Sequence, residues 1–145
     1  MAESLRRPHR LQPRPGPSLR GLRILIVEDH EDSRELLRQM VSIAGARPMV
    51  ATDGREALEM LAMARPHIVL CDLRMPRLDG FEVAQRLRTN PRYRTIPLVA
   101  VTALRDDRDY LRTLEAGFDA HLAKPIEYDD LVAVLARFAN RGRRR

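Results

Sequence analysis

The sequence at residues 24–29 is Ile-Leu-Ile-Val-Glu-Asp, four apolar residues followed directly by two acids. An apolar run of this length is typical of a strand buried on both faces, as in a parallel sheet covered by helices. The pattern recurs at residues 68–72 (Ile-Val-Leu-Cys-Asp) and, with a hydroxyl at its end, at residues 98–102 (Leu-Val-Ala-Val-Thr). Three buried strands that each end in a polar residue predict a functional edge on a parallel sheet.

Segments with helical spacing of apolar residues separate these runs. Asp32 with Glu35 three residues later is typical of a helix start, and Leu36, Met40 and Ala44 follow at helical spacing. The other predicted elements are strands at 48–51 and 119–123, helices that begin after Gly54 and near Phe81 and Asp107, and a last helix at 128–138. Five strands alternating with five helices predict an α/β fold, a doubly wound parallel sheet with helices on both faces.

Charge and composition divide the chain into three parts. The net charge is +6, but residues 1–23 carry six arginines against Glu3, residues 137–145 carry five arginines and no acid, and the body between them is mildly acidic. Residues 1–21 are also rich in proline, so we predict a disordered basic tail there. The predicted folded domain is 22–138, followed by a second basic tail at 139–145.

Targeting and partner signals are sparse. No apolar run has transmembrane length and no signal-peptide pattern occurs. The single cysteine, Cys71, excludes a disulfide framework and fits a reducing compartment. We therefore expect a cytoplasmic protein without membrane contact. The basic tails could contact nucleic acid, but no residues remain for a helix-turn-helix domain after Phe138 and no aromatic residues interleave the arginines, so nucleic acid is not the partner we expect.

The polar residues at the predicted strand ends form a chemically specific set: Glu28, Asp29, Asp72, Thr102 and Lys124. Three carboxylates in one pocket repel each other unless a divalent cation neutralises them, and oxygen-only ligands at a half-open site suit Mg²⁺. A hydroxyl and an ammonium are donors that a phosphoryl group requires. Lys124 is the only lysine beside 25 arginines, which favours a role for a compact ammonium. Asp72 is the plausible nucleophile, because a carboxylate can carry an acyl phosphate.

In the order and spacing of its motifs, the chain resembles the receiver domain of two-component response regulators, from about Leu22 to Phe138. The matching segments are Ile-Leu-Ile-Val-Glu-Asp at 24–29, Ala-Thr-Asp-Gly-Arg-Glu-Ala-Leu at 51–58, Cys-Asp-Leu-Arg-Met-Pro-Arg-Leu-Asp-Gly at 71–80, Val-Ala-Val-Thr-Ala at 99–103, and Gly-Phe-Asp-Ala-His-Leu-Ala-Lys-Pro at 117–125. The resemblance implies a flavodoxin-like fold with strand order 2-1-3-4-5. Among receiver domains, the chain resembles the stand-alone, chemotaxis-regulator type.

The resemblance also implies roles for individual residues. Asp72 would accept a phosphoryl group from the phosphohistidine of a histidine kinase. Glu28 and Asp29 would hold Mg²⁺ together with Asp72 and the main-chain carbonyl of Arg74. The residues that would contact the phosphoryl group or respond to it are Thr102, Lys124 and His121, and the peptide bond before Pro125 would be cis.

Several positions depart from the commonest pattern of that family. Glu28 replaces the more frequent first Asp, and His121 stands where a switch aromatic, usually Tyr or Phe, is expected. Arg74 and Leu104, two residues after Asp72 and Thr102, occupy positions that vary and tune the phosphoryl lifetime in the family.

The function that the sequence predicts is a phosphorylation-activated signalling switch, not an enzyme. Its expected partners are a sensor histidine kinase or phosphotransfer protein and an unknown downstream protein. The sequence is also compatible with a homodimer that forms on phosphorylation. Two alternatives stay open. The chain could be a receiver detached from a hybrid kinase or phosphorelay, or a phosphatase-like enzyme with an Asp nucleophile. The second is disfavoured, because phosphatases of this kind carry an Asp-x-Asp motif. In this chain the residue two positions after Asp72 is Arg74, so the second acid of that motif is missing.

Overall fold

The computed structural model describes residues 18–75, 77–103 and 106–144. Residues 1–17 of the predicted N-terminal tail, together with Leu104, therefore lie outside the described residues. Within the described part the elements are β1 (Arg23–Val27), α1 (Glu31–Ile43), β2 (Arg47–Ala51), α2 (Gly54–Ala64), β3 (Ile68–Asp72), α3 (Gly80–Thr89), β4 (Leu98–Thr102), α4 (Asp107–Glu115), β5 (Ala120–Ala123) and α5 (Tyr128–Arg143). None of these helices combines the length and the apolar character that crossing a bilayer would require.

The five strands form one parallel sheet in the order β2-β1-β3-β4-β5. The alternating α/β fold, its parallel sheet and the strand order are confirmed. β3 and β4 are buried along their whole length, whereas the edge strands β2 and β5 are partly exposed. This gradient explains why the central strands are continuous apolar runs and the edge strands are not.

Side chains of each strand alternate between two cores, one on each face of the sheet. In β1, Ile24 and Ile26 lie in the core beneath α1 and α5, while Leu25 and Val27 lie in the core beneath α2 and α3. The helices contribute their apolar stripes to these cores: Leu37 and Val41 from α1, Ala57 and Leu61 from α2, Val83 and Leu87 from α3, and Leu131 and Leu135 from α5. Burial on both faces holds β1 and β3 side by side, and with them the residues at their ends.

α1 begins earlier than the cap pattern indicated. Its N-cap is His30, whose Nδ1 accepts a hydrogen bond of 3.4 Å from the Ser33 amide, and Asp32 lies within the first turn. Glu35 pairs with the Arg38 guanidinium instead of closing a capping box. The side chain of Asp32 is still placed favourably, because acids in the first turn complement the helix dipole.

α5 is longer than the sequence analysis predicted. It continues past Phe138 to Arg143, and both Ala139 and Gly142 are buried. The Arg143 guanidinium donates hydrogen bonds of 2.6 and 3.2 Å to the carbonyls of Ser18 and Arg20. Small residues at positions 139 and 142 continue the apolar face of the helix, so the arginine-rich end of the chain packs against the segment that leads into β1.

Gly80, the first residue of α3, lies against the end of β3. A Cβ at this position would overlap the carbonyl oxygen of Asp72 and lie 2.8 Å from the Cα of Leu73. The Gly80 amide also donates a hydrogen bond of 3.1 Å to the Leu73 carbonyl. Only a residue without a side chain lets α3 begin this close to the loop that follows Asp72.

We therefore expect Gly80→Ala to destabilise the protein by about 1–3 kcal/mol, because overpacking against the backbone outweighs the better helix propensity of alanine. Denaturant unfolding measures this change. Gly45→Ala is the matched control, since Gly45 has a φ of +95° but a Cβ there would meet no atom within 4 Å, and only backbone strain of about 1 kcal/mol is expected. Equal or increased stability of Gly80→Ala would contradict the close approach.

Candidate functional site

Three carboxylates meet where β1 and β3 end. Glu28 and Asp29 follow β1, and Asp72 is the last residue of β3, whose Cys71 pairs with Val27 of β1. One ligand atom from each carboxylate lies within 4.8 Å of the other two. Glu28 is fully buried and Asp72 is 7% exposed, whereas Asp29 faces solvent. The sheet register therefore creates a cluster in which Glu28 and Asp72 are buried and Asp29 is open to solvent.

Lys124 provides the positive charge of this cluster. It follows β5, and its Nζ lies 2.6 Å from Oε1 of Glu28 and 3.4 Å from Oδ2 of Asp72. Its main-chain amide donates a hydrogen bond of 2.9 Å to the carbonyl of Thr102, and its peptide bond to Pro125 is cis. The ammonium thus connects the ends of β1, β3 and β5, with its backbone held by the end of β4.

The pKa values show how strongly these groups influence each other. Burial, followed by the neighbouring Asp72, raises the pKa of Glu28 to about 7, while the ammonium of Lys124 acts in the opposite direction. For Lys124, burial by itself would lower the pKa, but the hydrogen bond to Glu28 and the negative charges of Glu28 and Asp72 outweigh burial and raise it. Lys124 is therefore a charged ammonium, and it compensates the buried carboxylates only in part.

Main-chain and arginine contacts hold the two acidic loops. Arg34, in the first part of α1, donates from Nη1 to the carbonyls of Glu28 and Asp29 at 3.1 and 3.3 Å. The amide of Arg74 lies 3.3 Å from Oδ1 of Asp72. Sequence reasoning missed Arg34, since nothing in its local pattern distinguishes it from the other arginines; only its place one turn into the helix after the acids could have been a signal.

Thr102 and His121 lie on the side of β4 and β5. Thr102 ends β4 and is 3% exposed, and its partner in β5 is Ala123. His121 is half-buried, and its ring lies 4.6 Å from the ring of Tyr110 in α4 at an interplanar angle of 67°. The structure thus brings Glu28, Asp29, Asp72 and Lys124 into direct contact or close approach, places Thr102 at the same edge, and packs His121 against α4.

The donor set fits Mg²⁺. Three carboxylates with mutually close oxygens, one of them open to solvent, offer hard oxygen ligands while leaving room for water and a further anionic ligand. No thiol or imidazole belongs to the cluster among the described residues, and Cys71 points elsewhere, with its Sγ 3.3 Å from the carbonyl of Asp72. Burial, followed by the neighbouring Asp72, raises the pKa of Glu28, and a divalent cation bound here would favour its ionised form.

Comparison with known proteins gives consistent matches. Residues 24–136 match the model of the response regulator receiver domain. An uncharacterised 14.6 kDa protein from Leptolyngbya boryana is 36% identical over 121 residues, which cover 83% of this chain and 92% of that protein. The response regulator MprA of Mycolicibacterium vanbaalenii is 40% identical over 112 residues, or 77% of this chain and 48% of the regulator, so the chain spans about half the length of that relative.

Solved structures agree with this. The receiver domain of a sensor histidine kinase from Pseudomonas aeruginosa, with magnesium coordinated in its active site cleft, is 31% identical and superposes with a TM-score of 0.77, covering 83% of this chain and 98% of that one. The signal receiver domain of a histidine kinase from Syntrophus aciditrophicus is 35% identical, with a TM-score of 0.75 and coverage of 81% and 89%.

The pKa of Glu28 predicts a pH dependence of stability in the metal-free protein. The pKa rises from 4.5 to about 7 on folding, so protonated Glu28 contributes stability that is fully present below pH 4.5 and is lost as the pH rises through 7. Relative to Glu28→Gln, which cannot ionise, the wild type should lose about 1–3 kcal/mol of unfolding free energy between pH 4.5 and 8. Denaturant unfolding of both proteins across this range measures the loss, and a constant difference would contradict the raised pKa.

Proposed function

Because the chain belongs to the response regulator receiver domain family, we propose that Asp72 accepts a phosphoryl group from the phosphohistidine of a sensor histidine kinase or phosphotransfer protein. One observation carries this assignment. Asp72 is the one carboxylate of the cluster that combines a position at the end of a central strand, contact with the Lys124 ammonium at 3.4 Å and a small residual exposure of 7%. Glu28 is fully buried and Asp29 lies at the solvent-facing rim.

The proposed transfer is a displacement at phosphorus. A carboxylate oxygen of Asp72 forms the new O–P bond while the P–N bond to the donor histidine breaks, and the released imidazole nitrogen takes a proton from solvent. Lys124 holds charge next to the accepting carboxylate. Glu28, Asp29, Asp72 and the main-chain carbonyl of Arg74 would hold Mg²⁺, which when bound supplies charge neutralisation for the phosphoryl oxygens.

The response to phosphorylation involves the neighbouring strands. We assign to Thr102 a hydroxyl contact with the phosphoryl group, supported by its position at the end of β4 and by the hydrogen bond between its carbonyl and the Lys124 amide. His121 takes the place of the switch aromatic, supported by its ring contact with Tyr110. The output surface would then be α4 with β4 and β5, where Tyr110, Leu111 and Leu114 are exposed.

The protein would then act as a switch: phosphorylation changes a surface that a downstream protein binds. It would not act as an enzyme that turns over a substrate. Receiver domains act with histidine kinases and downstream targets, and homodimerisation on phosphorylation is one form that output could take. We propose the cytoplasm as the compartment, in keeping with a single cysteine and no disulfide framework.

The solved structures support a second setting for this receiver domain, namely a hybrid kinase or a phosphorelay. Two of the similar receiver domains belong to histidine kinases, which favours a receiver of the hybrid-kinase or phosphorelay type. The match to the uncharacterised Leptolyngbya protein covers 92% of that 14.6 kDa relative. Phosphoryl transfer from this chain to a histidine phosphotransfer protein would distinguish a phosphorelay receiver from a terminal one.

Phosphorylation should depend on Asp72 and on the metal. Wild-type protein incubated with acetyl phosphate and Mg²⁺ should gain the mass of one phosphoryl group, and Asp72→Asn should gain none, because an amide oxygen is a poor nucleophile. Removing Mg²⁺ should abolish the gain in wild type, since the uncompensated carboxylates repel the donor. Intact-mass spectrometry measures both. Equal uptake by Asp72→Asn would exclude Asp72 as the acceptor.

Lys124→Arg tests the need for a compact cation. The variant keeps the charge, but a planar guanidinium is too wide for a site where Nζ lies 2.6 Å from a fully buried carboxylate. We expect slower phosphorylation, about tenfold or more, and smaller phosphorylation-dependent amide shifts in β4, α4 and β5 by nuclear magnetic resonance. Arg55→Lys, which also exchanges one cation for the other but at an exposed residue of α2, is the matched control. Wild-type rates and shifts in Lys124→Arg would refute a special role for lysine.

A further inference from the structure

A cavity of about 560 Å³ lies at the edge of the sheet opposite to the carboxylate cluster. Its lining residues are Arg88, Arg94, Thr95, Asp119, Arg141 and Arg144. Thr95 precedes β4 and Asp119 precedes β5, so the cavity is at the beginnings of strands whose other ends carry Thr102 and Lys124. Four arginines and one acid therefore surround a single space that the phosphoryl chemistry does not use.

One carboxylate oxygen of Asp119, the only acid among the described residues that line the cavity, already has three partners. Oδ2 of Asp119 accepts hydrogen bonds from the Leu98 amide at 2.9 Å and from the Arg88 guanidinium at 2.9 Å, and it lies 2.6 Å from Nη2 of Arg141. The other N–H groups of Arg88 donate hydrogen bonds of 2.8–3.0 Å to the main-chain carbonyls of Gly117, Arg94 and Ile96. Arg88 and Asp119 thus tie α3 to the beginnings of β4 and β5, and their role is structural.

This leaves an excess of positive charge in the cavity. Arg94 and Arg144 are exposed, and within residues 18–75, 77–103 and 106–144 Asp119 is the only carboxylate that lines the cavity with them. Arg141 and Arg144 lie at the C-terminal end of α5, where the helix dipole favours cations. Arg94 lies in the loop between α3 and β4, where no helix dipole stabilises its positive charge. Helix dipoles therefore account for only some of the arginines that line the cavity.

The electrostatics of Arg88 point the same way. Burial lowers its pKa, the charge of Asp119 raises it, and the charge of Arg141 lowers it again. Arginines that face each other around one neutralised carboxylate repel, and an added anion would relieve this repulsion.

We propose that this cavity binds a phosphate group, either free as a polyphosphate or carried by a nucleotide. Guanidinium forks match phosphate oxygens bidentately, and the Thr95 hydroxyl adds a neutral donor at the rim. Two or more uncompensated positive charges converging on one small space fit the charge density of a pyrophosphate better than that of a single carboxylate. The site shares no residue with the phosphoacceptor cluster, so it does not depend on the function proposed above.

Titration of the full-length protein with pyrophosphate, and separately with ADP, tests this site by two-dimensional amide nuclear magnetic resonance. Buffers are freed of metal by resin treatment, because without a divalent cation the carboxylate cluster repels anions and a chelator would itself compete. Wild-type shifts should concentrate at Thr95, Ile96 and Asp119 and leave Thr102 unchanged. Tighter binding of ADP than of pyrophosphate would identify a nucleotide as the source of the phosphate, and the reverse order a free polyphosphate.

The double variant Arg94→Gln/Arg144→Gln should bind about a hundredfold more weakly, because it removes two charge-assisted contacts that each contribute on the order of a factor of ten. Both residues are exposed, so an unchanged thermal midpoint should confirm that the variant folds. Arg86→Gln is the matched control: it removes one charge from the last turn of α3 but lines a neighbouring cavity with Thr89 and Tyr93. Its affinity should stay within about twofold of wild type.

Three results would overturn the proposal. The first is no binding by wild type at millimolar pyrophosphate or ADP. The second is equal binding by wild type and the double variant. The third is an equal loss in Arg86→Gln and the double variant, since that would show diffuse attraction to a basic surface, as for a nucleic-acid backbone, instead of a defined cavity.

Discussion

The contact of the Lys124 ammonium with Glu28 and Asp72 is the interaction on which the functional edge of this molecule depends. Glu28 is fully buried beside a second, nearly buried carboxylate, and such a pair is costly without a cation. Lys124 reaches both acids from a strand two positions away in the sheet from β3, at 2.6 and 3.4 Å. Removing one partner of a buried ion pair typically costs about 3–5 kcal/mol, because the other charge is left uncompensated.

The rest of the architecture makes this contact possible. β1, β3, β4 and β5 run parallel and in adjacent order, so their polar ends meet at one edge, and burial on both faces fixes their register. Gly80 lets α3 begin directly against the carbonyl of Asp72, and Arg34 holds the carbonyls of the two acids after β1. Burial and the neighbouring Asp72 raise the pKa of Glu28 to about 7 and together outweigh the effect of the Lys124 ammonium. A site with residual negative charge and open oxygens is suited to a divalent cation.

Much of this could be predicted from the sequence because burial leaves a direct trace in it. The apolar runs at 24–27, 68–71 and 98–101 are continuous since both faces of those strands are covered, and the polar residue after each run marks the functional edge. The strand order followed from the resemblance to receiver domains, because local patterns do not encode which strands are neighbours. The end of α5 was underestimated, since the arginines after Phe138 obscured the small buried residues Ala139 and Gly142.

Contacts between distant residues were beyond sequence reasoning. The pairing of Lys124 with Glu28 joins residues 96 positions apart. The contacts of Asp119 with Arg88 and Arg141 join α3, α5 and the residue before β5. Both depend on how far side chains reach across a folded sheet, which neither propensity nor periodicity specifies. With 25 arginines in the chain, composition could not indicate which of them are held by carbonyls and which remain open to an anion.

Asp72 is proposed to be the one carboxylate of the cluster that carries the phosphoryl group. The most direct test is to treat the phosphorylated protein with borohydride, which reduces an aspartyl phosphate to homoserine, and to locate the reduced residue by tandem mass spectrometry of its peptides. Homoserine is expected at position 72 alone, in samples phosphorylated with Mg²⁺ present. Reduction at Asp29, or the corresponding alcohol at Glu28, with Asp72 intact would contradict it.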